Sequence, residues 1–140
     1  MIDSFTGEHR FLSNFWPVDI EYLSVVYPSV EHAYQASKTN DPEERKLILQ
    51  AKTAGIAKKL GKMLTIRPDW DEVKVIIMHY LVWKKFQNKE LNDLLQATGD
   101  CDLVEGNTWG DTFWGVCNGQ GKNHLGKILM HERTWNKVND

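Results

Sequence analysis

The sequence predicts a helix-rich α+β domain with one small β-hairpin, and three observations carry that expectation. Helix-start signals recur at Ser29, Asp41-Pro42, Asp69 and Asn123. One stretch, Asp19 to Tyr27, alternates β-branched and aromatic residues as a strand pair does. No repeat, low-complexity tract or Pro/Gly/Ser-rich linker divides the 140 residues, so residues 1–140 are expected to form a single domain.

The elements follow in order. Phe5 to Tyr27 reads as irregular chain running into the hairpin, whose turn carries Leu23-Ser24. Without Asp-Gly or Asn-Gly there, the turn is not expected to be of the primed type. Tyr27-Pro28 stops the strand, and Ser29 caps a helix from Val30 to about Lys38. Glu31 falls in its first turn, where the helix dipole favours a carboxylate. Asp41-Pro42-Glu43-Glu44 combines a capping acid, Pro at the first helical position and a capping-box Glu, starting a helix to about Thr53. A shorter basic helix is expected near Gly55 to Leu64. Asp69 and Glu72 form a second capping box before Val73, Ile76, Ile77, Tyr80 and Leu81, which share one helical face and predict the core helix. Leu91, Leu94 and Leu95 mark another helix, and Asn123 is expected to cap a last one through about Trp135.

Composition narrows the function. Hydrophobic residues at 41% and charged residues at 26% fit a packed globular domain. No apolar run reaches the roughly 20 residues of a membrane span, and Met1 to Arg10 has no apolar signal core. A cytoplasmic protein with no membrane partner is expected. Cys101 and Cys117 have no paired ligand spacing, and the five His have none either, so neither a metal nor a cofactor is expected. A net charge of −2 argues against a dedicated nucleic-acid binder. The charge is uneven, however: Lys38 to Arg67 holds eight basic residues against three acids, a run that serves either a solvated helix face or phosphate.

Two features point to a ligand. Six Trp are many for this length, and indole rings ordinarily pack or stack. Gly106 to Lys122 holds five of the ten glycines interleaved with Trp109, Asp111, Phe113 and Trp114. A loop of this length with its own aromatics is commonly functional. Its end, Gly115 to His124, leads into a helix N-terminus and reads as an anion cradle or a structural turn. Glu31, Glu105 and Asp111 are the acids set among rings and glycines, where a carboxylate can activate water or stabilise a sugar cation. Taken singly, Glu31 is equally a helix-terminal acid and Asp111 a turn former.

Four stretches taken together decide the matter. They are Phe11 to Pro17 (FLSNFWP), Tyr27 to Lys38 (YPSVEHAYQASK), Asp69 to Lys74 (DWDEVK), and Leu103 through Phe113-Trp114-Gly115 to Met130. In this order and spacing the chain resembles the YbiA/NADAR family of N-glycosidases over nearly its whole length. The resemblance implies a YbiA-like fold and hydrolysis of a bond between ribose and nitrogen. It implies catalytic roles for Glu31, Asp111 and Trp70, and substrate binding by Asn14, Trp109 and Trp114. Lys59 and Lys62 match the family's basic-x-Gly-basic element and would meet phosphate, helped by backbone N–H groups near Asn123. Lysine there supplies a point charge without arginine's bidentate fork.

The substrate expected from the resemblance is a phosphorylated, ribosylated pyrimidine intermediate of riboflavin synthesis. The alternatives are ADP-ribose on a guanine base in DNA, which would make ADP-ribosylated nucleic acid a partner, and a non-catalytic module binding ADP-ribose or NAD. One of Glu31 and Asp111 would stabilise the ribosyl cation while the other handles water, and either order fits the sequence.

Overall fold

A computed structural model describes residues 1–139. They form a helix-rich α+β architecture with two small two-stranded sheets, in two compact units: residues 14–85, and residues 1–13 with 86–139.

The unit of residues 14–85 opens with an antiparallel hairpin, β1 (Ile20–Tyr22) and β2 (Val25–Tyr27), in which Tyr22 pairs with Val25. This register leaves two residues for the turn. Leu23 and Ser24 both take positive φ, 50° and 68°. That is the primed geometry, contrary to the expectation from the missing glycine. A two-residue connection must match the right-handed twist of its strands, and the pairing outweighs the strain at two non-glycine positions.

Helix α1 (Val30–Ser37) starts where Ser29 accepts from the His32 N–H at 3.0 Å. The helix is buried on every side, including Glu31, His32 and Gln35. His32 explains part of this. Its Nδ1 lies 2.7 Å from Ser29 Oγ and its Nε2 3.0 Å from the Ala51 carbonyl, so both ring nitrogens are bonded within the fold.

Helix α2 (Pro42–Leu49) ends about a turn before the expected Thr53, and α3 covers Ala54–Gly61. Thr53 is instead the cap of α3, accepting from the Ile56 N–H. The capping box at Asp41 closes on one side only. Asp41 accepts from the Glu43 N–H at 2.9 Å, but Glu44 turns to Thr39 and Thr65, tying the start of α2 to the segment after α3.

Helix α4 (Trp70–Lys85) corrects two further expectations. The Asp69 carboxylate forms a forked pair with Arg67, at 2.7 and 3.1 Å, which holds it below its ordinary value. The buried face is Met78, Leu81, Val82 and Lys85, while Ile76 and Tyr80 are exposed. Burial lowers the Lys85 amine to about 7.

The other unit holds a 3-10 helix (Gly7–Leu12) within the stretch read as irregular, then α5 (Lys89–Ala97) and α6 (His124–Asn139). Leu91 and Leu95 of α5 are buried and Leu94 is exposed. Between α5 and α6 the glycine-rich stretch carries a short parallel pair, β3 (Gly106–Asn107) with β4 (Val116–Cys117). Asn123 does not cap α6 with its side chain. Its Oδ1 accepts from the Glu105 N–H at 3.0 Å and its Nδ2 donates to the Leu103 carbonyl at 2.9 Å, clamping residues 103–105 onto the helix start. Among the described residues no helix is long and apolar enough to cross a membrane.

Glu132 in α6 is buried, and its Oε1 accepts no hydrogen bond; burial pushes the carboxyl from 4.5 up to about 7. A carboxyl raised in the native state binds its proton more tightly when folded. Its contribution is therefore full below about 4.5 and lost as pH rises through about 7. Glu132→Gln cannot ionise. It is expected to match the parent near the low end of that window and to exceed it above the high end by up to about 3 kcal/mol, read from urea midpoints at both pH values.

Candidate active site

The sequence places Glu31, Tyr34, Gln35 and Lys38 at helical spacings of three and four, so α1 presents them as one stripe. Glu31 sits 7% exposed, and its backbone N–H donates to the Asn14 carbonyl at 3.0 Å. Asn14 is itself buried, with its Nδ2 3.5 Å from the Met78 sulfur, so the turn before the hairpin is anchored on both α1 and α4. Glu31 Oε1 accepts from Gln35 Nε2 at 2.9 Å. The Gln35 Oε1 is buried without a hydrogen bond, and Gly61 at the end of α3 lies against this amide.

That contact predicts a positional effect. A Cβ at Gly61 would lie 1.9 Å from Gln35 Oε1 and 2.6 Å from its Cδ. Gly61→Ala must therefore displace the amide that steadies Glu31. Activity is expected to fall roughly tenfold or more, with about 1–3 kcal/mol of stability lost to overpacking, measured by turnover and urea unfolding of the same sample.

Next along the stripe, the Tyr34 ring meets Trp70 at the head of α4, with centroids 5.2 Å apart and planes at 52°. The Lys38 amine lies 5.6 Å from the Tyr34 ring centre. Burial draws that amine below the ordinary lysine value; Glu31 pulls it back up, and Lys58 and Lys74 push it further down. Lys58, 6.0 Å from the Phe15 ring centre, and Lys74 thus share one electrostatic neighbourhood with Lys38 and Glu31. A buried acid, a ring pair and three amines are gathered within this unit.

Lys59 and Lys62 are exposed instead. A step of one residue turns a helix by roughly 100°, which carries Lys59 away from the face that Lys58 occupies. The basic run was visible in the sequence, but its inward member was not. Lys38 could have been found by counting seven residues on from Glu31.

The remaining candidates lie in the other unit. Asp111 Oδ1 accepts from the N–H groups of Phe113 and Trp114 at 3.1 and 2.9 Å, and Asn107 bonds its backbone on both sides, so this acid organises its own loop. Trp114 is part-buried in a ring cluster with Phe113 and His124, at 4.8 and 6.2 Å. Trp109 is 62% exposed. The N–H groups of Asn123, His124 and Leu125 donate to the Gly115, Phe113 and Trp114 carbonyls. The loop's own backbone occupies these donors, so they are not an open cradle for an anion. Among the described residues no group of three His, Cys, Asp or Glu is gathered for a metal.

The NADAR domain matches residues 4–135. The chain belongs to the NADAR family. Among its NADAR relatives, the N-glycosidase Npun_R5314 of Nostoc punctiforme is 43% identical over 128 residues, covering 86% of this chain and 81% of that one. The N-glycosidase YbiA of Escherichia coli K12 is 35% identical over 136 residues, covering 93% and 83%. The riboflavin biosynthesis protein VVA0006 of Vibrio vulnificus is 40% identical over 129 residues, and the chain spans only 35% of its length. The NMR structure of E. coli YbiA superposes with a TM-score of 0.85 at 32% identity, over 99% of this chain and 88% of that one. The helix-rich fold, with its small sheets, is thus shared with E. coli YbiA, which is named an N-glycosidase, as is the Nostoc relative.

Proposed function

We propose that this NADAR chain hydrolyses the bond between ribose and a nitrogen of a phosphorylated pyrimidine intermediate of riboflavin synthesis. The observation that carries the reading is the α1 stripe, where the buried Glu31, held by Gln35, lies in the same electrostatic neighbourhood as three lysines and next to a Tyr34–Trp70 ring pair. As the C1′–N bond breaks, its electron pair leaves with the pyrimidine nitrogen and positive charge develops on the ribose. Glu31 stabilises that charge as water adds at C1′, and the proton the water loses is the one the released nitrogen takes up. Trp70 stacks on the departing ring. Asn14 orders the Glu31 backbone, and Asn123 orders the loop. Lys38, Lys58 and Lys74 receive the phosphate, with Lys59 and Lys62 adding long-range attraction from the surface. The riboflavin biosynthesis name carried by the Vibrio relative and by a maize relative supports this substrate.

A second substrate is favoured by one feature. Lys38 ends α1, while Lys58 and Lys74 come from α3 and α4. Although Lys74 also pairs with Asp71 at 3.2 Å, that spread suits the two phosphoryl groups of the pyrophosphate of ADP-ribose on a guanine base. Incubation with a ribosylamino-pyrimidine phosphate and with ADP-ribosylated DNA, followed by mass spectrometry, separates the readings. Release of ribose 5-phosphate from the first supports the proposal. Release of ADP-ribose from the second alone replaces it, and tight binding of ADP-ribose with turnover of neither would make the chain a binding module.

A further inference from the structure

The unit of residues 1–13 and 86–139 contains a cleft of about 380 Å³ where the start of α5 meets the end of α6, a size usual for small-molecule sites. It is lined by none of the residues assigned to hydrolysis. Two of its walls are the side chains of Asn92 and Asn136, only 9% and 8% exposed. Asn136 Nδ2 donates to Asn92 Oδ1 at 3.0 Å and to the Phe86 carbonyl at 3.4 Å, and Gln96 donates to the same Asn92 oxygen at 3.3 Å. These bonds use the Asn92 carbonyl and the Asn136 amine. They leave the Asn92 amine and the Asn136 carbonyl, one donor and one acceptor, without hydrogen bonds among the described residues.

The third wall is Trp135, whose ring is 51% exposed and makes no ring contact among the described residues. The charges on the rim, Lys89 and Asp93, are paired with each other at 3.0 Å, so the cleft offers no net charge to a ligand.

We propose that this cleft is a second ligand site, which binds an uncharged, planar nitrogen heterocycle of the nucleobase kind. The Asn92 amine donates to a ring nitrogen or carbonyl, the Asn136 carbonyl accepts from the neighbouring N–H, and Trp135 stacks on the ring face. The proposal is independent of the reaction assigned above, because it requires binding without turnover.

The test is an NMR titration of the full chain with cytosine, and with 1,3-dimethyluracil, a planar pyrimidine ring that has carbonyl acceptors but no N–H. Cytosine is expected to shift the Trp135 indole N–H and the Asn92 side-chain amide signals, and to bind roughly tenfold more tightly than the methylated ring. Trp135→Ala, a change at a half-exposed position that leaves the fold intact, is expected to weaken cytosine roughly tenfold. Asn92→Asp keeps the accepting oxygen, removes the donor, and should weaken it similarly. Absence of shifts at these residues at millimolar cytosine, equal binding of the two rings, or binding that survives Trp135→Ala would each overturn the site. None of these results bears on hydrolysis.

Discussion

Glu31→Gln is expected to slow hydrolysis of a ribosylamino-pyrimidine phosphate by between about a hundredfold and ten-thousandfold, with the chain still folded. The amide oxygen introduced still accepts from Gln35, so the geometry of α1 is kept while the negative charge disappears. The loss should fall on kcat. Lys38, Lys58 and Lys74 still meet the phosphate and Trp70 still stacks, so KM should change little. Thermal unfolding of the variant should lie at or above that of the parent, since a carboxylate has been removed from a buried position. Rate assays at saturating substrate beside a melting curve check both parts.

The largest effect on stability is expected at Gly126. A Cβ there would lie 2.1 Å from the Leu103 carbonyl oxygen and 2.4 Å from both polar atoms of the Asn123 amide. The obstacle is backbone, together with a side chain already fixed by two hydrogen bonds, so neither can swing away. Gly126→Ala must lift residues 103–105 off α6 and break the Asn123 clamp. Overpacking of about 1–3 kcal/mol is then compounded by two lost hydrogen bonds of about 1 kcal/mol each. The melting temperature should drop on the order of 10 °C, measured by calorimetry.

The signals that could be read from sequence were local ones. Ser29 caps α1 because a hydroxyl before a helix has a partner three residues on, whatever the tertiary fold. Asp69 looked identical in kind, but Arg67 lies two residues back and offers a charged fork that outcompetes backbone N–H groups. The Leu23-Ser24 turn departs from its local signal because its type follows from the register of the flanking strands, not from its own residues. The buried face of α4 departs from its spacing for a similar reason. Ile76 and Tyr80 share helical spacing with Val73, yet the neighbours that cover the helix meet Met78, Leu81 and Val82. Glu31 and Trp70 stood out through the family motifs, whereas the support around them did not. Gln35 and Gly61 are adjacent only in the folded chain, and the choice between Lys58 and Lys59 depends on a rotation that composition does not encode.

The claim beneath these expectations is that Glu31 stabilises a positively charged ribose. Binding of a 5-phosphorylated iminoribitol, whose protonated ring nitrogen imitates that cation, measures it directly against a neutral ribitol of the same shape. The parent should prefer the cation by at least about a hundredfold, and Glu31→Gln should erase the preference while binding the neutral compound as before. Equal affinity of parent and variant for the cation would contradict the assignment.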